Sequence, residues 1–187
     1  MAAGGNVANI QLGPGRLYVA ALGVAEPASV SAALPSANWI TIGYTEEGTA
    51  VSTEMTSEAI EVAEELDPVL FVQTRRTTSV TFSMAEATKK RLFLAVGGGA
   101  GGFDDTIPFE FPDASEILPV QIIWDLEDTP TNLNRRWLFR RATPSGTIEI
   151  PRRKAPAKTL IGVTFDCAKS LAGLKAVKVF PNVSGQV

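Results

Sequence analysis

The sequence predicts a mainly β fold, a β-sandwich or barrel with one flanking α-helix, and three observations carry that expectation. Apolar and polar residues alternate with period two in segment after segment. Gly, Pro, Asn or Asp separates those segments, and a single stretch departs from the alternation toward good helix formers. At 187 residues the chain is long enough for one substantial core. No internal repeat and no long polar linker divides it, so residues 1–187 are expected to form one domain.

Residues 1–15 lack the charged-then-apolar layout of a signal peptide and are expected to form a flexible N-terminal arm. Residues 16–21 and 39–44 are the first strand candidates, joined by an irregular Ala-, Ser- and Pro-rich segment at 26–38. Residues 48–55 and 69–76 follow. Val80, Phe82 and Met84 then alternate with Ser79, Thr81 and Ser83, giving one apolar and one polar face. The predicted helix is 85–96, AEATKKRLFLAV, with Ala85, Leu92 and Val96 on one face and Lys89, Lys90 and Arg91 opposite. Gly97 should end it, and its basic residues should suit the negative end of the helix dipole. The Gly-rich loop 97–106 comes next.

Leu118, Val120, Ile122, Trp124 and Leu126 form one strand face against Gln121, Asp125 and Glu127, interrupted by Pro119 and Ile123. Residues 136–143, Ile148 and Ile150 about Glu149, residues 160–168, and Val177 and Val179 about Lys178 complete about nine or ten strands. The segments 26–38 and 97–106 are expected to order on contact with another subunit.

The residue inventory argues against catalysis. No histidine is present, which removes the commonest general base, the commonest metal ligand and the His-dependent triads. The carboxylate doublets Glu46-Glu47, Glu64-Glu65 and Asp104-Asp105 remain, but neighbours on a strand point to opposite faces, and solvated surface charge is the plainer reading. Gly97, Gly99 and Gly102 match a dinucleotide-binding spacing but follow a helix, where that fingerprint needs a strand before it and a helix after it. The lone Cys167 lies in the apolar pattern Ile161, Val163, Phe165 and is expected to be a small buried hydrophobe in a reduced compartment. No catalytic residue, cofactor or metal site is assigned.

Charge is segregated along the chain. No Lys or Arg occurs between Arg16 and Arg75, a stretch that holds Glu26, Glu46, Glu47, Glu54, Glu58, Glu61, Glu64, Glu65 and Asp67. Arg135, Arg136, Arg140, Arg141, Arg152, Arg153, Lys154 and Lys158 cluster later, with Glu149 as the acid among them. Two readings stay open: the two regions neighbour each other inside one subunit, or they meet between subunits and steer assembly. The overall charge of -3 gives no sign of affinity for nucleic acid.

Three runs carry a family resemblance: Gly43-Tyr44-Thr45-Glu46-Glu47-Gly48, the segment EVAEELDPV at 61–69, and SVTFSMAEAT at 79–88. Together with the opening LGPGRLYVA at 12–20 they resemble the tail tube (major tail) proteins of siphophages, particularly those infecting actinobacteria. The likeness is clearest to about Gly99. It implies a β-sandwich subunit with a helix on one flank, made in the host bacterial cytoplasm and assembled in the virion as stacked hexameric rings. It also implies contacts with tape measure, tail terminator and baseplate proteins, and passage of DNA through the channel without specific binding or any membrane contact. An acidic lumen would repel DNA, so Glu46, Glu47, Glu54, Glu58 and Glu61 are the lumen-facing candidates. Arg75, Arg76, Arg135, Arg136, Arg140, Arg141, Arg152 and Arg153 are the inter-subunit contact candidates. Alternatives are another virion ring protein, such as a tail terminator, baseplate or head decoration protein, and a β-sandwich binding module. The last would expose clustered aromatics, whereas Trp39, Trp124 and Trp137 lie in core-like strand patterns.

Overall fold

A computed structural model describes residues 15–61, 67–100, 106, 108–126, 135–150 and 158–180. The proposed arm falls outside them except Gly15, which already belongs to the first strand. The elements are β1 (Gly15–Ala21), β2 (Ile40–Thr41), β3 (Thr45–Ile60), β4 (Leu70–Met84), α1 (Lys89–Ala95), β5 (Val120–Leu126), β6 (Arg135–Ser145), β7 (Ile161–Cys167) and β8 (Val177–Val179). They form one antiparallel sheet in the order β2-β1-β5-β6-β7-β4-β3, with β8 pairing the first half of β6. The sheet is curled into a half barrel.

The curl buries a core on its inner face. Leu17 and Val19 of β1, Val80, Phe82 and Met84 of β4, Val120 and Ile122 of β5, Phe139 and Ala142 of β6, and Ile161, Val163 and Phe165 of β7 meet there. Phe82 and Phe165, register neighbours of Val163 and Val80, stack with centroids 5.7 Å apart. A large apolar side chain taken fully from water contributes about 1.5–3 kcal/mol, so these strands supply most of the driving force for folding.

A second core lies on the other face of β1, β5 and β6. Ala20, Ile123 and Leu138 point there and are covered by Val30 and Trp39 from residues 22–39 and by Phe180. This explains why Ile123 interrupts the alternation of β5: both faces of that part of the sheet are roofed. The segment 26–38 is therefore built into the subunit and does not wait for a partner. Two buried arginines hold it in place. Arg136 donates to both carboxylate oxygens of Asp125 and to the carbonyls of Ser29 and Ala32. Arg140 donates to both carboxylate oxygens of Glu26 and to the carbonyl of Lys175.

The helix is shorter than its sequence pattern. Thr88 caps it by accepting from the Arg91 N–H, so helical hydrogen bonding begins at Lys89 and residues 85–87 remain outside. Lys89 and Lys90 thus sit in the first turn, at the positive end of the dipole, contrary to the expectation that they serve the C-terminal end. The buried Arg91 turns its guanidinium to the Thr41 carbonyl at 2.6 Å, which fixes the helix against β2. Gly97 at φ 96° ends the helix as expected. The glycines after it are packed: a Cβ on Gly98 would lie 2.3 Å from the Phe93 ring. Residues 69–76 and 80–84, expected as separate strands, are one continuous β4, and the strand expected at 48–55 runs from Thr45 to Ile60. Residues 148–150 are not a strand.

Candidate functional site

Where the alternation is strict, one face of the sheet is left uncovered. On β7, β4 and β3 the inner face holds Val80, Phe82, Ile161, Val163 and Phe165, all buried. The opposite face carries Gly162, Thr164 and Asp166 of β7, Thr77, Ser79, Thr81 and Ser83 of β4, and Ala50, Ser52, Glu54 and Thr56 of β3, and none of these is buried. Its hydroxyls pair across strands. Ser52 and Ser79 lie 2.8 Å apart, and Thr81 and Thr164 3.0 Å apart. Short hydroxylated side chains thus satisfy one another across the strands.

The register puts Glu46, Glu54 and Glu58 on this same face, opposite Ser83, Thr77 and Val72. Glu46 lies 3.3 Å from the Lys158 ammonium, whereas Glu54 and Glu58 are exposed. Glu61 stands one residue beyond the end of β3, where no register ties it to that face. The side chain of Glu47 lies outside the described residues. Arg75, opposite Thr56, is the one cation that register places on this face of β3, β4 and β7 among the described residues.

The second feature is a projection. The last residue of β4 that pairs with β7 is Thr78, so residues 54–60 and 70–77 form a two-stranded ribbon that pairs, among the described residues, only with itself. Seven further residues at about 3.4 Å each carry it about 24 Å past the body. Its end is apolar and uncovered, with Ile60 46%, Val69 59%, Leu70 55% and Phe71 66% exposed. A lone two-stranded ribbon is marginal in water, and an apolar patch of this kind marks a contact surface. Among the described residues the outer edge of β3 is unpaired along the whole strand. At about 50 Å it is a long open edge, with neither Pro nor Lys to guard it.

At the root of the ribbon, where β7 ends, its inner face and β8 enclose a cleft of about 510 Å³. Trp137, Val51, Val177 and Val179 give its walls an apolar surface, and Arg76, Lys169 and Lys175 ring it with positive charge. No acidic residue lines it among the described residues.

Of the expected contact arginines, Arg75 and Arg76 are exposed on opposite faces of the ribbon. Arg135 and Arg141 are half-buried on β6, and Arg152 and Arg153 lie outside the described residues. Arg136 and Arg140 are corrected: at 4% and 8% exposure, and hydrogen-bonded to Asp125, Ser29, Ala32, Glu26 and Lys175, they hold residues 26–38 to the sheet and offer no free charge to a neighbour. At Arg140, paired with Glu26, and at Lys158, 3.3 Å from Glu46, the acidic and basic regions of the chain meet within the fold. Arg140 together with Lys178 holds the Glu26 carboxyl below its ordinary range, against the opposing effect of burial. Cys167 is half-buried, and burial aided by the negative charge of Asp166 pushes its thiol up to about 12, so it stays protonated and unreactive. Trp39 is fully buried, and Trp124 and Trp137 pack against the inner core with centroids 6.3 Å apart. The ribbon and its cleft escaped the sequence reading, although a long stretch without Lys or Arg that is still rich in apolar residues marked the place.

Comparison with known proteins adds the family. The chain is similar over 91% of its length to a chain in the cryo-EM structure of the anti-feeding prophage (AFP) baseplate, 6-fold symmetrised, of which it also covers 91%, at 10% identity and a TM-score of 0.44. No curated protein matches the chain. The family model described as phage tail tube protein matches residues 3–157. The uncovered face, the open edge and the projecting ribbon are thus features of a chain that belongs to the phage tail tube protein family, a non-enzymatic structural component of the virion tail.

Proposed function

We propose that this protein polymerises with copies of itself into hexameric rings that stack as the tail tube, and that the uncovered face of β3, β4 and β7 lines the channel through which the genome leaves. The observation that carries this reading is the junction of a sheet face rich in hydroxyls and carboxylates with a long unpaired edge. Copies that supply the missing neighbour for β3 extend the sheet, and a ring closes it into a barrel with no free edge. The surface then presented to the lumen is hydroxylated and acidic through Glu46, Glu54 and Glu58, with Glu47 and Glu61 as further candidates. Duplex DNA carries one negative charge per roughly 1.7 Å of axis, so a basic lining would hold it at many points, and an acidic one keeps it moving. Arg75, Arg135, Arg141, Arg152 and Arg153 serve contacts between subunits, and the residues before Gly15 act as an arm. In this reading the tube contains the tape measure protein before ejection and is closed by terminator and baseplate proteins.

Charge reversal of Glu54 and Glu58 to lysine tests the lumen. Tubes of normal length whose particles eject DNA more slowly are the expected result. Loss of tubes with an intact subunit fold moves these residues to an interface and refutes the assignment. Negative-stain microscopy of the purified wild-type protein tests polymerisation itself: discrete single rings or caps would make it another virion ring protein.

A further inference from the structure

A basic knob and an acidic recess lie at opposite ends of the sheet, and neither involves the ribbon. The knob is the turn 168–176 between β7 and β8. The N–H groups of Ser170 and Gly173 donate to the carbonyls of Leu174 and Ser170, and the Leu174 N–H donates to the Ser170 hydroxyl, which fixes its shape. It presents Leu171, 80% exposed, and Leu174, 49% exposed, between the exposed Lys169 and Lys175. Neither lysine has an ion-pair partner among the described residues, and the turn contains no acid. The recess, of about 420 Å³, lies beside the end of α1. Phe93, Phe111 and Leu118 give it apolar walls, Glu110, Asp113 and Glu116 line it with acid, and no cation lines it among the described residues. Its shape is also fixed: Phe111 stacks on Phe109, Phe109 meets Phe93 edge-on at 5.3 Å, and the Leu118 N–H donates to the Gly97 carbonyl. Val120 and Cys167 lie level, both opposite Ala142, on strands that run the same way. The recess precedes Val120 and the knob follows Cys167, so the two leave that row in opposite directions and the knob points away from its own recess.

We infer that the β7–β8 turn of one copy docks in the acidic recess beside α1 of the next. The occupant is a second copy of this chain, because that turn offers what the recess lacks: two cations flanking exposed aliphatic side chains on a fixed scaffold. The contact joins two different surfaces, so it is head-to-tail and propagates from subunit to subunit instead of closing a pair. Leu171 is the anchor that leaves water against Phe111 and Leu118, while Lys169 and Lys175 meet the carboxylates. The charges fix direction, since knob against knob or recess against recess would bring like charges together. This inference rests on self-assembly as proposed above and names one pair of surfaces that performs it.

The test is a charge swap in the full-length chain. One variant carries Lys169→Glu with Lys175→Glu, a second carries Glu110→Lys with Asp113→Lys, and a third carries all four changes. The first two should each raise the protein concentration needed for polymer by on the order of 100-fold, as attraction is replaced by repulsion at two sites. The third, and an equal mixture of the first two, should assemble within about threefold of wild type. Every knob then meets a recess of opposite sign again, and recovery of this kind cannot come from a damaged fold. Leu171→Ser, which alters no charge, should raise the threshold about tenfold, the loss expected when one buried leucine contact is removed. Glu54→Lys, on the uncovered sheet face, should leave the threshold alone. A rise with Glu54→Lys as large as with the swaps makes the effect one of net charge and overturns the contact. Two-site swaps that polymerise like wild type, or a four-site swap that does not recover, overturn the contact while leaving tube formation untouched. Wild-type protein that forms rings but no tubes, with the same loss and recovery, keeps the contact and refutes the tube. Protein that stays monomeric throughout refutes both.

Discussion

Replacing Arg136 with methionine separates a structural arginine from an interfacial one. The guanidinium is 4% exposed and makes two hydrogen bonds to Asp125, at 3.2 and 2.7 Å, and two to the carbonyls of Ser29 and Ala32, at 3.0 and 2.8 Å. Methionine retains much of the packed volume but leaves Asp125 without its partner and both carbonyls without a donor. Breaking a buried pair costs about 3–5 kcal/mol, and the Asp125 side chain keeps 25% of its exposure, so the lower end applies to the pair. Water can reach part of the site, and the loop carbonyls add roughly 1 kcal/mol at most. The expected loss is about 3 kcal/mol, or a fall in Tm of about 6–12 °C for a chain of this size. Thermal unfolding followed by circular dichroism, at a protein concentration below that for assembly, measures it. The double change Arg136→Met with Asp125→Leu should recover at least half, since no buried charge is then left alone. A Tm within 1 °C of wild type, combined with loss of polymer, would show that Arg136 serves a neighbour and that the intramolecular account is wrong.

Other consequences are equally accessible. Glu26 has a lowered pKa in the fold, so the stability it contributes is complete above its ordinary 4.5 and is lost as pH falls through the lowered value; Glu26→Gln should flatten acid-unfolding curves in that window. Thr88→Ala removes the helix cap and should cost about 1 kcal/mol in urea denaturation. Gly98→Ala forces the Phe93 ring to move and should cost about 1–3 kcal/mol, with no cost if the ring shifts freely. The Cys167 thiol should resist alkylation at pH 8 in folded protein and react at once in denaturant.

Much of the architecture could be read from alternation, and the pattern held more than a strand count. The strict period of Val80 to Met84 and of Ile161 to Phe165 marks strands with one open face, whereas the crowded apolar runs around Ile123 and Leu138 mark strands roofed on both. Helix boundaries were less legible, because the apolar face begins before the residue that caps the first turn, Thr88. Of the acidic residues, Glu46, Glu54 and Glu58 fall on one face of β3 because the irregularity at residues 46–49 preserves their parity, a feature that local composition does not disclose. Arg136 and Arg140 stand beside Arg135 and Arg141 in the same run, yet the first two are inside. What decides this is the roofing segment a hundred residues earlier, and pairings of that range leave no local trace.

The continuity of β4 has a mechanical consequence. A single 15-residue strand runs from the middle of the core to the end of the ribbon, with no Gly or Pro along it to act as a hinge. Force applied at the far end is therefore delivered along the backbone into the stacked rings of Phe82 and Phe165, where it is resisted by shear across two flanking strands. In the proposed tube, bending would therefore fall where one subunit meets the next, and those seams would set its persistence length.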